Sequence, residues 1–262
     1  MRAELTEEQT LLRETVARLL ADTYPFEARR ALLHSPDGWS RDLWSAMAEL
    51  GLLSLAVPEE AGGLNAGGIE LAIVAEALGA ALSAEPVLPT AVSAVRMLAA
   101  TGRMDTLEAL TSGQSIVSVG TETWLEVAAD GHLTAELVSV PWANTAERLL
   151  LFVQGPDGTA LIAVDTDRPE ITRRAHRTFD GLAAADVNIQ ALNMGTTDVL
   201  ADGDAARQYR EARTLRELWL AAEAVGLMQV ALDATVEHLK SRYSSANPWG
   251  NFKPCSIVVL RC

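Results

Sequence analysis

The spacing of apolar residues changes twice along the chain. Up to about residue 112 apolar positions recur at helical intervals, from about Ser115 they alternate in short runs, and from Gln208 a long helical pattern returns. Thr6 and Gln9 form a capping-box pair with Leu5 placed as a hydrophobic staple. Leu11, Leu12, Thr15, Val16, Leu19 and Leu20 then supply one buried helix face. Pro25 ends this helix or marks a restart after it. Ser40 predicts the cap of a helix carrying Leu43, Trp44, Met47 and Leu50 and stopped at Gly51. Beyond the glycine-rich loop that follows Pro58, further helices are predicted from Ile69 to about Leu82 and from Thr90 to Ala100.

The middle of the chain reads differently. Ile116 to Val119, Trp124 to Val127, Leu133 to Val140, Leu149 to Val153, Leu161 to Val164, Ile171 to Arg174 and Val187 to Leu192 are predicted strands. Asp130-Gly131, Asp157-Gly158 and Asp180-Gly181 are the turn signals between them, and a small antiparallel barrel or sandwich accounts for the spacing. Gln208 to Arg242 keeps Leu218, Ala222, Val225, Leu232, Val236 and Leu239 on one stripe, too long a surface to bury against itself. The periodicity stops after Arg242 without a cap or a polar tail. The resulting expectation is an α+β multidomain chain: a helical domain at 1–112, a β domain at 113–206, one long helix at 207–242 and an aperiodic tail at 243–262.

Composition narrows the function. With 262 residues, 49% of them hydrophobic, the chain can bury the cores of two modest domains, and its net charge of -14 opposes nucleic-acid or anionic-membrane binding. Both cysteines lie in the tail, so no disulfide framework is expected and a cytoplasmic setting is the easier reading. No apolar signal segment opens the chain and no window of about 18 apolar residues runs without charge, so no membrane span is expected. His34, His132, His176 and His238 lack metal-ligand spacing, and no metal site is assigned. Gly62, Gly63, Gly67 and Gly68 have no following lysine and read as a turn between helices. Arg173, Arg174, His176 and Arg177 are a phosphate site or, the favoured reading, a solvated strand edge; Trp124 and Trp142 read as packing residues.

Two stretches carry a family resemblance. LGLLSLAVPEEAGGLNAGGIELAIVAEALG matches a pattern at Leu50 to Leu53, Pro58 to Glu60, Gly62, Gly63 and Glu76 to Gly79 that resembles the N-terminal domain of acyl-CoA dehydrogenases. The second lies in the tail, in another frame. If each true codon joins the third base of one residue to the first two of the next, Trp249-Gly250 encodes glycine. Tyr243-Ser244, Phe252-Lys253 and Cys255-Ser256 encode glutamine, once stop codons are excluded and both serines are taken as AGY codons. Joined to Lys240, Ser241 and Arg242, the hidden frame can read KSRxQFGKPMGxFQALQHR, which resembles the start of the family's C-terminal helical domain. The tail is accordingly read as out of frame, the result of a frameshift near residue 243.

The resemblance implies a helical N-terminal domain, a middle β domain and the first helix of a truncated C-terminal helical domain. It implies FAD as cofactor and an acyl-CoA thioester as substrate, dehydrogenated between its α and β carbons, with an electron-transfer partner for the intact enzyme. Thr121, in the Gly120-Thr121-Glu122 segment, and Ser139 take the places of family residues that meet the flavin, and Arg242 opens the motif that helps bind FAD. Departures at Thr123 and around Val138-Ser139-Val140-Pro141 suggest an acyl group other than a simple straight fatty chain. The family's glutamate base lies in the C-terminal domain, so no catalytic residue is assigned and the chain alone is expected to be inactive. Homo- or hetero-oligomers through the long helix are expected, and the alternative reading is a non-catalytic partner subunit of a heteromeric acyl-CoA dehydrogenase.

Overall fold

A computed structural model describes residues 4–241 apart from 36, 121–122, 157 and 203–204, together with the backbone of 243–244 and 247–248. The first part is helical: α1 (Glu7–Thr23), α2 (Phe26–Leu32), α3 (Arg41–Glu49), α4 (Gly68–Ala81), a π-helical segment Val87–Ala94 running into α5 (Val95–Ala100), and α6 (Met104–Thr111). Local chemistry explains the boundaries. Thr6 and Gln9 close a reciprocal capping box on α1, and Ser40 Oγ accepts from the Leu43 N–H at 3.0 Å to start α3. Pro25 is the N-cap of α2, and Gly51 ends the α3 region in the left-handed conformation at φ 74°. The helix expected from Thr90 begins earlier, at Val87, as a π-helix. Pro89 lies in the first turn of that segment, where a backbone N–H has no intrahelical acceptor to lose. The glycine-rich loop after Pro58 is a turn: Gly62 has φ 82°, and a Cβ on Gly63 would overlap the Val57 backbone.

Eight strands follow: β1 (Val117–Val119), β2 (Leu125–Glu126), β3 (His132–Pro141), β4 (Arg148–Gly155), β5 (Gly158–Asp165), β6 (Ile171–Arg177), β7 (Ala183–Asn193) and β8 (Asp198–Asp202). They form two sheets rather than a closed barrel. One has the order β1-β4-β5-β8 with β2 also on β4, and the other has the order β3-β7-β6. Most pairings are antiparallel, but β1 and β2 each lie parallel to β4. β4 is buried along nearly its whole length and reads as a continuous apolar run, as a strand covered on both faces does. Thr90 Oγ1 donates to the Val117 carbonyl at 2.9 Å, tying the π-helical segment to the first strand.

α7 (Ala205–Ser241) is a 37-residue helix that returns across the molecule. Its N-terminal turn is fixed by aromatic packing, with Tyr209 against Trp124 (5.3 Å between ring centroids) and Phe152 (5.1 Å). Its middle is fixed by glycine. A Cβ on Gly226 would overlap the carbonyl oxygen of Glu76 on α4, and a Cβ on Gly79 of α4 would overlap the carbonyl oxygen of Glu223. The two backbones therefore touch through reciprocal notches. Leu220, Val225, Leu227, Met228 and Val230 remain exposed. α7 is long and apolar enough to cross a membrane, but Glu223 and Asp233 interrupt its apolar stretch and its middle packs against α4. An apolar helix of this kind also serves helix packing in a folded chain.

Gly226→Ala tests the notch. At an open helical site the change would gain about 1 kcal/mol. Here the added methyl meets rigid backbone, and overpacking of this kind costs about 1–3 kcal/mol. The melting temperature of Gly226→Ala should therefore fall; an unchanged or higher value would show that α4 and α7 do not approach this closely.

Candidate functional site

Between the helical part, the two sheets and α7 lies a cavity of about 930 Å³. α4 and the π-helical segment contribute Leu78, Gly79 and Leu88, and the β wall contributes Val119, Gly120, Leu137, Ser139, Val140 and Trp142. The β6–β7 turn adds Thr178 and Asp180, while α7 closes the space with Arg213, Arg216, Trp219 and Glu223. A cavity of this size, mostly apolar with a few converging polar groups, is the usual form of a small-molecule or cofactor site.

The β wall is shaped by an irregular strand. The pairing of β3 with β7 shifts register between Leu137 and Val140, and Ser139 takes a left-handed conformation at φ 52° within that bulge. The conformation is held from outside: the Ser139 N–H donates to Asp186 Oδ1 at 3.0 Å, and Ser139 Oγ lies 2.9 Å from His176 Nε2. The Ser139 N–H, and then the Arg174 guanidinium at 2.6 Å, keep the Asp186 carboxyl below its ordinary range. Trp142 also has positive φ, at 61°, donates its N–H to the Ala183 carbonyl at 2.9 Å, and sets its ring edge against Trp39 at 5.4 Å. It both packs and lines the cavity, whereas Trp124 packs between Phe152 and Tyr209.

A second polar group closes the cavity beside α2. Arg29 is 5% exposed; its Nε donates to the Leu82 carbonyl at 2.5 Å, while its Nη1 is buried without a partner. Glu85, 7% exposed, accepts from the Ser40 N–H at 2.9 Å and from Ser83 Oγ at 2.5 Å. Burial pushes the Glu85 carboxyl above its ordinary range against the pull of those bonds, and burial together with Glu85 pushes the Tyr24 hydroxyl up as well. On α7, burial and then the neighbouring Asp180 raise Glu223, opposed by a hydrogen bond from Trp219.

Of the residues named from sequence, Ser139 lines the cavity, while Thr121 and Arg242 lie outside the described residues. The basic cluster is a strand edge: Arg173 donates to the carbonyls of Ala143 and Ala146, Arg174 pairs with Asp186, and Arg177 donates to the carbonyl of Ser35. Arg29, Glu85 and Glu223 were not anticipated. Glu85 left a trace in the sequence, since it and Glu76 are the two charged residues between Leu71 and Val95.

A family model described as acyl-CoA dehydrogenase, N-terminal domain, matches residues 6–111. The chain is 30% identical over 250 residues to the acyl-CoA dehydrogenase IpdE2 of Mycolicibacterium smegmatis, covering 95% of this chain and 70% of that protein. It is 29% identical to IpdE2 of Mycobacterium tuberculosis, covering 94% and 68%. Among solved structures, a variant of the steroid ACAD Tcur3481-Tcur3483 superposes with a TM-score of 0.84 at 25% identity, covering 97% of this chain and 72% of that one. The ChsE4-ChsE5 complex of Mycobacterium tuberculosis superposes at 0.87 with 23% identity, covering 100% and 74%.

The raised carboxyl of Glu223 has a consequence for stability. A carboxyl raised by folding is best tolerated protonated, so its contribution is favourable below the unfolded-state value near 4.5 and is lost as pH rises through the folded value. Glu223→Gln should therefore melt higher than the parent at neutral pH, with the gap closing towards pH 4.5. Melting curves of both proteins across this range check it, and a gap independent of pH would contradict it.

Proposed function

Because the chain belongs to the acyl-CoA dehydrogenase family, we propose that its cavity receives the flavin ring of FAD against the β3 wall and the acyl group of a CoA thioester between that wall and α7. The cavity itself carries this reading: its volume is about 930 Å³ and its apolar walls are edged by Ser139 and the Gly120 main chain. Those groups suit a flat, largely apolar ring with polar atoms along one edge. Thr121, next to Gly120, and Arg242, beyond the end of α7, complete the proposed FAD contacts. FAD supplies the acceptor for the β-hydrogen when it is bound. The chain's own contribution is to orient the ring and the acyl group and to exclude water, through Leu137, Val140, Trp142 and Trp219.

No described residue is assigned as the base that removes the α-proton. Residues 1–242 are read as the binding part of the site, with the base supplied by the family's C-terminal helical domain, and the tail from 243 is read as out of frame. An electron-transfer partner and a cytoplasmic setting belong to the same reading. The exposed apolar residues of α7 favour association through this helix, either between copies or as the partner subunit of a heteromeric dehydrogenase.

Titration of the purified chain with FAD, followed by flavin absorbance and fluorescence, tests the cofactor half of this proposal. Binding should be measurable, and Ser139→Ala should weaken it about fivefold, the size of one net hydrogen bond of about 1 kcal/mol. Octanoyl-CoA should then perturb the flavin spectrum without sustained dye reduction. No flavin binding would remove the cofactor assignment, and sustained dye reduction would place a working base within residues 1–262.

A further inference from the structure

We propose that Arg29 makes the α2 end of this cavity a recognition site for an oxygen acceptor on the acyl group, a ketone or a carboxylate, in addition to the thioester. The inference rests on the acyl-CoA reading above and narrows its substrate. Arg29 and Glu85 both line the cavity and both are more than nine-tenths buried. Helix capping accounts for only part of the arginine. Its Nε satisfies the carbonyl of Leu82, which takes the left-handed turn at φ 55° after α4, but Nη1 is buried with no acceptor. A guanidinium carries five donors in a fixed fork, two of them on Nη1, and leaving these buried and unpaired is costly.

Glu85 does not discharge that cost. Its two oxygens are engaged by the Ser40 N–H and by Ser83 Oγ. Burial also works against the charge on Glu85, and among the described residues no hydrogen bond joins that carboxyl to Arg29. Arg30, the next residue, shows the contrast: it faces outward and pairs with Glu27 at 2.9 Å, with both side chains mostly exposed. An apolar acyl end placed against Arg29 would leave the guanidinium short of acceptors, whereas a carbonyl or carboxylate oxygen would accept from it where Arg29 meets the cavity. Sites built around a buried donor discriminate strongly against ligands that lack the acceptor.

Calorimetric titration of the full chain with octanoyl-CoA, 7-oxooctanoyl-CoA and octanedioyl-CoA tests the inference. At least one oxygenated thioester should bind tenfold or more tightly than octanoyl-CoA. Arg29→Met, which keeps most of the side chain's bulk and removes its donors, should bring that ligand to the octanoyl value and leave octanoyl-CoA unchanged. Equal binding of all three to the parent overturns the inference and leaves the acyl-CoA reading intact. A uniform loss of all three in Arg29→Met also overturns it, assigning the residue to the CoA portion or to the framework. If none of the three binds, the acyl-CoA reading fails along with it. The parent comparison needs no variant, so a misfolded Arg29→Met would not shield the inference.

Discussion

Gly79 and Gly226 let α4 and α7 meet backbone to backbone, and the position of everything on α7 follows from that contact. Helices separated by ordinary side chains pack 8–10 Å apart, whereas glycine notches draw the axes closer and fix the register of one helix along the other. With the N-terminal end of α7 pinned by Tyr209 against Trp124 and Phe152, the helix is held at two points, one on each part of the fold. The cavity is the space these two attachments leave between them. α7 is apolar on several sides because it serves more than one surface: Trp219 is buried, Leu220 and Leu227 border the cavity, and Met228 and Val230 face outward.

The sequence was most informative where structure is determined locally. The capping box at Thr6 and Gln9, the cap at Ser40 and the left-handed glycines at Gly51 and Gly181 rest on contacts within a few residues, and each could be read from the residue types. The seven predicted strands fall within β1–β7 to within about a residue or two at most ends, because their alternation and turn residues are also local. β8 was missed, being short and lacking an alternating run. α6 was missed, and α2, the restart left open after Pro25, was given no bounds, because seven- and eight-residue helices offer too few turns to establish a period. The parallel placement of β1 and β2 on β4 was not legible at all, since periodicity says which face of a strand is buried and nothing about its neighbour.

The same division runs through the site. Ser139 could be named from a resemblance in a short segment, and it does line the cavity. Arg29 and Glu85 could not, because their placement on one cavity depends on α2 folding back on the turn after α4, a contact spanning 53 residues between Arg29 and Leu82. A doublet such as Arg29-Arg30 in a short helix looks like ordinary surface charge. Which of the two turns inward is decided only by the carbonyl waiting at Leu82.

Charge gives the arrangement a further constraint. The chain carries a net charge of -14, and an anionic thioester would approach it against the overall field. Local cations must therefore offset that field. Of those bordering the cavity, Arg213 is held by Glu217 at 2.9 Å, which spends part of its field on α7 itself. Glu223 ties this electrostatic balance to the helix contact. Its backbone carbonyl is the surface that Gly79 abuts, and its side chain lines the cavity beside Asp180. A shift of α7 along α4 would move that carboxyl relative to Asp180 and alter the proton affinity of Glu223. The notch that sets the distance between two helices therefore also sets the charge that a ligand meets between them.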